Sequence, residues 1–391
     1  MARTSDTATF DAKAYRDSTE RMRAKGERVH DAGEQVFRST GKLDPNVDIV
    51  GKTRVSRNSM VRQGTKYVLK NGIALPIMSG FDGTGSMGEN VEKAYYAIPK
   101  IDGMLKPLRT RYNTQVASAV WQDVQDHHPV VQMSQFESDE RIAEQIRLLV
   151  PDKDGGDAIE DYDLGLAYLW LATQTDLYDF YGLKGYVFIV ADMYGRGRVT
   201  KRGIKQYLGH DMQEDEVTTR KICQALLEKW HVYYFQVGGG GSETKRWWAE
   251  KLGAGRVIDV PDSDYLAQVQ AGAIYVTETE RPTQAGLSKF LLSEESNDRR
   301  TAGNVWEWLQ AAEQNFGAQT QLEGYADIPK PGDEFEHFRH AWPLKHARFA
   351  ENVTPEEGKE GETSKAKDKP KSGTGKSTGK SKRDDFNWND F

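Results

Sequence analysis

The sequence predicts an α/β fold: a Rossmann-like, doubly wound, mostly parallel sheet, preceded by an arm and a hairpin and followed by a helical extension. Three observations predict it. Apolar runs alternate with helical patterns from about residue 72 to 280, the rhythm of strand–helix–strand units. Two of those runs, Gly185-Tyr-Val-Phe-Ile-Val-Ala191 and His231-Val-Tyr-Tyr-Phe-Gln-Val237, are uninterrupted, the mark of strands covered on both faces. The stretch Phe81-Asp-Gly-Thr-Gly-Ser-Met-Gly88 ends one strand and opens a helix, the junction at which parallel sheets bind ligands.

In chain order, residues 1–48 read as a charged helical arm. Tyr15, Met22, Val29, Val36 and Phe37 are its sizeable apolar residues, too few for a core helix and suited to lying on a surface. Residues 49–71 read as a basic hairpin leading into the core, with turns at Gly64 and Gly72. It carries Lys52, Arg54, Arg57, Arg62, Lys66 and Lys70 and no acid between Asp48 and Asp82. Those charges suit the solvated face of an edge hairpin, or a docking strip for an acidic partner. Within residues 72–280, the expected strands are 73–78, 116–121, 130–133, 185–191, 231–237 and 256–260. The expected helices are 90–105, 141–149, 158–171, 217–230, 244–252 and 264–275. Residues 281–350 form a smaller helical extension anchored by Asn304-Val-Trp-Glu-Trp-Leu309. Residues 351–391 are rich in Lys, Ser, Gly, Glu and Pro and cannot bury a core. That tail ends in Asp384-Asp-Phe-Asn-Trp-Asn-Asp-Phe391, where Asp384, Asp385, Phe386, Trp388 and Phe391 resemble a short protein-docking motif.

Composition excludes several classes. The chain has 391 residues, 37% hydrophobic and 29% charged, with a formal net charge of -6. That balance argues against general nucleic-acid binding. No apolar run reaches membrane-spanning length, and the polar N-terminus does not read as a secretory signal. A single cysteine, Cys223, forbids an intramolecular disulfide or a cysteine-based zinc cluster and suits a reducing, cytoplasmic setting. Its place in a helical pattern suggests a small buried apolar residue.

The 81–88 loop admits three readings. Gly83-x-Gly85-x-x-Gly88 matches a dinucleotide loop, but Asp82 at its mouth would repel a pyrophosphate, and the next strand-end acid, Asp123, is too distant in sequence for a ribose ligand. Ser86 on a strand-to-helix turn, with Asp192 and then His210 or His231, follows the order of an α/β hydrolase triad. The turn lacks the first small residue of the nucleophile elbow, however, and neither histidine ends a strand. The third reading is a metal site. Asp82, Thr84 and Ser86 place one carboxylate and two hydroxyls side by side. Such hard oxygen ligands suit Mg²⁺ or Mn²⁺ and leave positions for water and a partner. Asp192 and Asp157 lie on neighbouring edge loops.

Asp82-x-Thr84-x-Ser86 after a strand, with Asp192 after a later one, resembles the metal-ion-dependent adhesion site of von Willebrand factor A domains. Gly155-Gly-Asp-Ala-Ile-Glu160 resembles the G-G-D-x-x-E segment of many intracellular bacterial members. The resemblance covers roughly residues 72–280. It implies a Mg²⁺ site (Mn²⁺ or Ca²⁺ also fitting oxygen ligands) built from Asp82, Thr84, Ser86, Asp157 and Asp192. It implies a partner protein that presents an Asp or Glu, with an AAA+ ATPase of the MoxR type among the partners that intracellular members work with. The expected role is a scaffold or adaptor with no catalytic residue. A metal-assisted or Ser86-dependent hydrolase, and a structural subunit assembled through arm and tail, stand as alternatives.

Weaker candidates remain. Gly238–Gly241 after a buried strand reads as a turn with Ser242 as helix cap. Gly51-Lys-Thr53 lacks the first glycine of a phosphate loop. His337, His340 and His346 cluster loosely with Asp333 and Glu336, and His127–His128 read as exposed. Trp247–Trp248, Trp306 and Trp308 read as packing anchors.

Overall fold

The computed structural model describes residues 11–125, 129–152, 160–238, 241–261, 263–279, 281–292, 297–316 and 329–335. The chain divides into two compact units, 1–351 and 352–391, and every described residue belongs to the first. The C-terminal docking motif, including Asp384, Asp385, Phe386, Trp388 and Phe391, lies outside the described residues, as do His127, His128, Glu336, His337, His340 and His346.

A six-stranded sheet forms the centre. Its spatial order is Val257–Asp259, Trp230–Gln236, Gly185–Ala191, Ile73–Asp82, Tyr112–Trp121 and Val131–Met133. Neighbours run parallel except the last, which pairs antiparallel with Tyr112–Trp121. The uninterrupted apolar runs have the expected cause. Along Gly185–Ala191, Tyr186, Phe188 and Val190 enter one hydrophobic core, while Val187, Ile189 and Ala191 enter the other. Side chains alternate between faces with period two, so a sheet covered on both sides needs apolar residues at every position. One core receives the helices Gly88–Leu105, Leu266–Glu278, Gln284–Leu291 and Arg299–Phe316. The other receives Tyr162–Ala172, Thr219–Lys229 and Ser242–Leu252. Val305 and Leu309 belong to the first core, so the extension's helices share the main core rather than building their own. Cys223 is fully buried, and burial pushes its thiol up to about 12.

Trp121, at the end of its strand, fixes how closely helix and sheet approach. A β-carbon at Gly80 would stand 2.5 Å from its ring, and one at Gly165 on the opposing helix would stand equally close. The indole fills the space that both glycines leave. Gly165→Ala overpacks a region with no slack and should cost roughly 1–3 kcal/mol. Urea denaturation checks the value, and Trp121→Leu in the same chain should recover part of it.

The N-terminal arm differs from the expectation of one surface helix. It forms two helices, Ala12–Ala24 and Asp31–Thr40, parted where Gly26 adopts φ 72°, a conformation that glycine takes without cost. Tyr15, Met22 and Val29 are buried. Pro99, inside the Gly88–Leu105 helix, has no N–H to offer the carbonyl four residues back. The Tyr15 hydroxyl donates to that carbonyl, Tyr95 O, at 2.5 Å. The arm therefore completes the hydrogen bonding of a core helix.

The basic hairpin also needs correction. Met60–Gln63 and Lys66–Leu69 pair antiparallel as expected, but Arg54 is not part of a solvated strip. It is 1% exposed and donates to the carbonyls of Asn46, Asp48, Met133 and Ser134. Five-donor guanidinium geometry suits it to satisfying several carbonyls at once. Lys52 pairs with Asp48 at 2.8 Å and Lys66 with Glu334 at 2.7 Å. Arg57, Arg62 and Lys66 keep the exposure expected of a solvated edge, while Arg54 is turned inward.

Candidate metal centre at the carboxyl edge of the sheet

From the Ile73–Asp82 strand the chain moves to Tyr112–Trp121 and Val131–Met133 on one side, and the three strands from Gly185 onward are added on the other. The order reverses between Ile73–Asp82 and Gly185–Ala191, so a crevice opens at their carboxyl ends. Asp82 is the last residue of the first strand and Asp192 directly follows the second. The topology therefore brings these two carboxylates, 110 positions apart in sequence (192 - 82), to one edge.

Asp82 is 2% exposed. Its Oδ1 accepts from Thr84 N at 2.8 Å and from Thr84 Oγ1 at 2.6 Å, and its Oδ2 accepts from the Tyr162 hydroxyl at 2.6 Å. Burial nevertheless pushes its carboxyl up to about 6. The hydrogen bonds from Thr84 and Tyr162 only partly offset the lost water, and the nearby charge of Asp192 adds to the rise. Burial also raises Asp192, which is half-buried. Burial, with Asp82 and Glu160 nearby, raises the Tyr162 phenol well above its ordinary range, so it stays a donor.

Glu160 enters from a third segment, tied to the sheet edge by a parallel bridge to Gly195. Its Oε1 lies 3.0 Å from Thr84 Oγ1. The Thr84 hydroxyl therefore sits between two carboxylate oxygens, at 2.6 and 3.0 Å. A hydroxyl has one proton to donate, so one of the two contacts sets lone pair against lone pair. A cation or a carboxyl proton relieves that conflict.

The loop carrying Asp192 is held by its neighbours. Tyr234 donates to Ala191 O at 3.0 Å, and Trp248 Nε1 donates to Met193 O at 3.0 Å. Tyr234 and Trp248 stack with ring centroids 4.6 Å apart, so Trp248 is the anchor expected of it. Gly238, φ 77°, lies beside Asp192: a β-carbon there would stand 3.9 Å from its Oδ2. A phosphate at this turn would meet a like charge. The next helix begins at Ser242 itself, with Gly241 in the cap position, so Ser242 is not the cap that its position suggested.

Of the five residues expected to hold a metal, Asp82, Thr84 and Asp192 are described and share this edge. Asp157 and the side chain of Ser86 lie outside the described residues. Glu160 and Tyr162 join the site and were not singled out as ligands or supports. The signal for Glu160 was present in the G-G-D-x-x-E segment. Tyr162 opens a helix in an apolar run and reads as core. Among the described residues, no group of three His, Cys, Asp or Glu side chains is placed to hold a metal ion by itself. The described donor set is therefore partial: carboxylates with a hydroxyl between two of them, all hard oxygens suited to Mg²⁺, Mn²⁺ or Ca²⁺.

The rival readings of the loop lose their geometry. Thr84 N, which a phosphate-binding loop would offer to its ligand, is engaged by Asp82, and Asp123 is bonded by Arg196. For a hydrolase triad, His231 pairs with Tyr186 at the start of its strand, while Ala191 pairs with Gln236 at the far end. Five residues of strand place it ~16 Å from the carboxyl edge. Burial holds its imidazole well below the ordinary range. His210 contacts Lys52 O and packs against Tyr168, away from Asp82.

No known family model matches the sequence, and no curated protein matches it. Several solved structures do. Proximal thread matrix protein 1 from the mussel byssus is 14% identical, with TM-score 0.33, over 52% of this chain and 47% of that one. The pilus adhesin SpaC from Lactobacillus rhamnosus GG is 10% identical, with TM-score 0.36, over 60% and 34%. A von Willebrand factor type A protein from Catenulispora acidiphila is 11% identical, with TM-score 0.29, over 59% and 48%. This chain thus spans about half, or less, of the length of each of these three solved chains.

Proposed function

We propose that this chain is a divalent-cation-dependent protein-binding module of the von Willebrand A type. Asp82, Thr84, Glu160 and Asp192, with Ser86 and Asp157, hold Mg²⁺ or a similar ion directly or through water. When bound, the ion is a Lewis acid with an open position for the carboxylate of a partner's Asp or Glu. The observation that carries the reading is the Thr84 hydroxyl held between two carboxylate oxygens, beside a buried Asp82 raised to about 6. A carboxyl proton would relieve the conflict at one contact, whereas a cation turns each of these oxygens into a ligand. The described histidines His210 and His231 sit elsewhere, so neither completes a triad with Ser86 and Asp192. The role is that of a scaffold or adaptor, with an AAA+ ATPase among the fitting partners. The acidic–aromatic terminus around Asp384, Asp385, Phe386, Trp388 and Phe391 is a candidate docking segment for such a partner.

The test is a binding array of synthetic peptides, each with a central Asp or Glu and its Asn or Gln counterpart, probed in Mg²⁺ and in chelator. The reading expects capture of carboxylate peptides only in Mg²⁺. Equal capture of amide peptides, or no change with chelator, contradicts it.

A further inference from the structure

We infer that Arg196 is a positioning residue that sets Glu160 and Asp192 in register across the site, an inference that rests on the function proposed above. Three edge segments meet at this side chain. Arg196 follows Asp192 by four positions (196 - 192). Its Nε donates to Asp161 Oδ1 at 3.1 Å, next to Glu160, and its Nη2 bonds Asp123 Oδ2, just past the end of the Tyr112–Trp121 strand. The other oxygen of Asp161 accepts from Val124 N at 2.9 Å. Asp123 and Asp161 are buried, at 1% and 7% exposure, so their charges need a fixed counter-charge. A planar guanidinium supplies one to both at once.

A second staple locks the same pair of segments. Asp163 accepts from Gly197 N at 3.2 Å and from the Thr219 hydroxyl. A β-carbon at Gly195 would stand 2.5 Å from Asp163 Oδ2, so a residue with a side chain would push the 193–197 segment away. Gly195 is also the bridge partner of Glu160. Glu160 and Asp192 therefore depend for their spacing on a segment that Arg196 ties down, although Arg196 is not itself among the site's oxygens. Groups that orient metal ligands in this way are worth roughly 10–100-fold in affinity.

The test is Mn²⁺ affinity of the full chain, measured on wild type, Arg196→Gln and Arg196→Lys at a temperature where each is folded, with hydrogen exchange of residues 160–163 as a second readout. Charge alone and positioning predict opposite signs. Removing a cation near a cation site strengthens binding by Coulomb's law, while loss of positioning weakens it. The expected result is a loss of roughly 10-fold or more in Arg196→Gln, with faster exchange at 160–163. Arg196→Lys keeps the charge and fold but lacks the fork that spans two carboxylates, and should fall between. Affinity in Arg196→Gln equal to or tighter than wild type overturns the positioning role alone. No Mn²⁺ binding by the wild type overturns it together with the proposed function.

Discussion

Asp82→Asn should stabilise the chain in chelator and abolish its response to Mg²⁺. The two effects have one origin. Asp82 is buried and its carboxyl sits near 6, so at pH 7.5 the folded state holds a desolvated charge that the unfolded state keeps in water. The shift of about 2 units corresponds to at most about 3 kcal/mol. Asparagine preserves an acceptor for Thr84 and presents an amide to Tyr162, whose hydroxyl then accepts. A gain of about 1–2 kcal/mol in chelator is expected, read by urea denaturation. In the wild type, Mg²⁺ at about 100 times its dissociation constant adds roughly 2.7 kcal/mol, a thermal shift of several degrees. Asparagine does not supply the charge that attracts the ion, so the variant should show no shift. A variant that is less stable in chelator and still responds to Mg²⁺ would contradict both halves of the argument.

The second large effect is on pH. Burial, its largest cause in each, raises Asp82, Asp163 and Asp176 to about 6. An unfolded aspartate titrates near ~3.9. Between those values the folded chain binds more protons than the unfolded one, so stability falls as pH rises. The contribution is fully present below about pH 4 and is lost as pH passes through 6. In chelator, the urea midpoint should therefore be higher at pH 5 than at pH 7.5. Asp176, whose carboxylate accepts from Asn58 N at 2.9 Å, lies outside the candidate site. Asp176→Asn should flatten part of the pH dependence and leave the Mg²⁺ response intact. Mg²⁺ binds the deprotonated site, so its stabilisation should grow over the same pH range. A urea midpoint that rises steadily from pH 5 to 7.5 in chelator would show that paired surface carboxylates dominate instead.

Much of the central sheet is legible in the chain because burial on both faces leaves unbroken apolar runs such as 185–191. The two carboxylates at its switch point are legible because each directly ends such a run. Glu160 is harder to read. It reaches the site through one bridge to Gly195, and nothing in local periodicity marks a single bridge. Tyr162 hides in an apolar helix, since a phenol that donates to Asp82 has the same pattern as one that only packs. Arg54 and Arg196 show the same limit for charge. A run of cations looks solvated in sequence, yet Arg54 is enclosed by four carbonyls, and Arg196, though partly exposed, is held by two buried acids. The arm's second helix follows from Gly26, and its docking follows from Pro99, whose missing donor creates a need that only the folded chain reveals.

The central claim is tested most directly by Mn²⁺ binding to the full chain, followed by electron paramagnetic resonance of the free ion, with Asp82→Asn as control. The account predicts saturable binding of one Mn²⁺ per chain, competed by Mg²⁺ and lost in Asp82→Asn. No saturable binding by the wild type, or equal binding by Asp82→Asn, would contradict it.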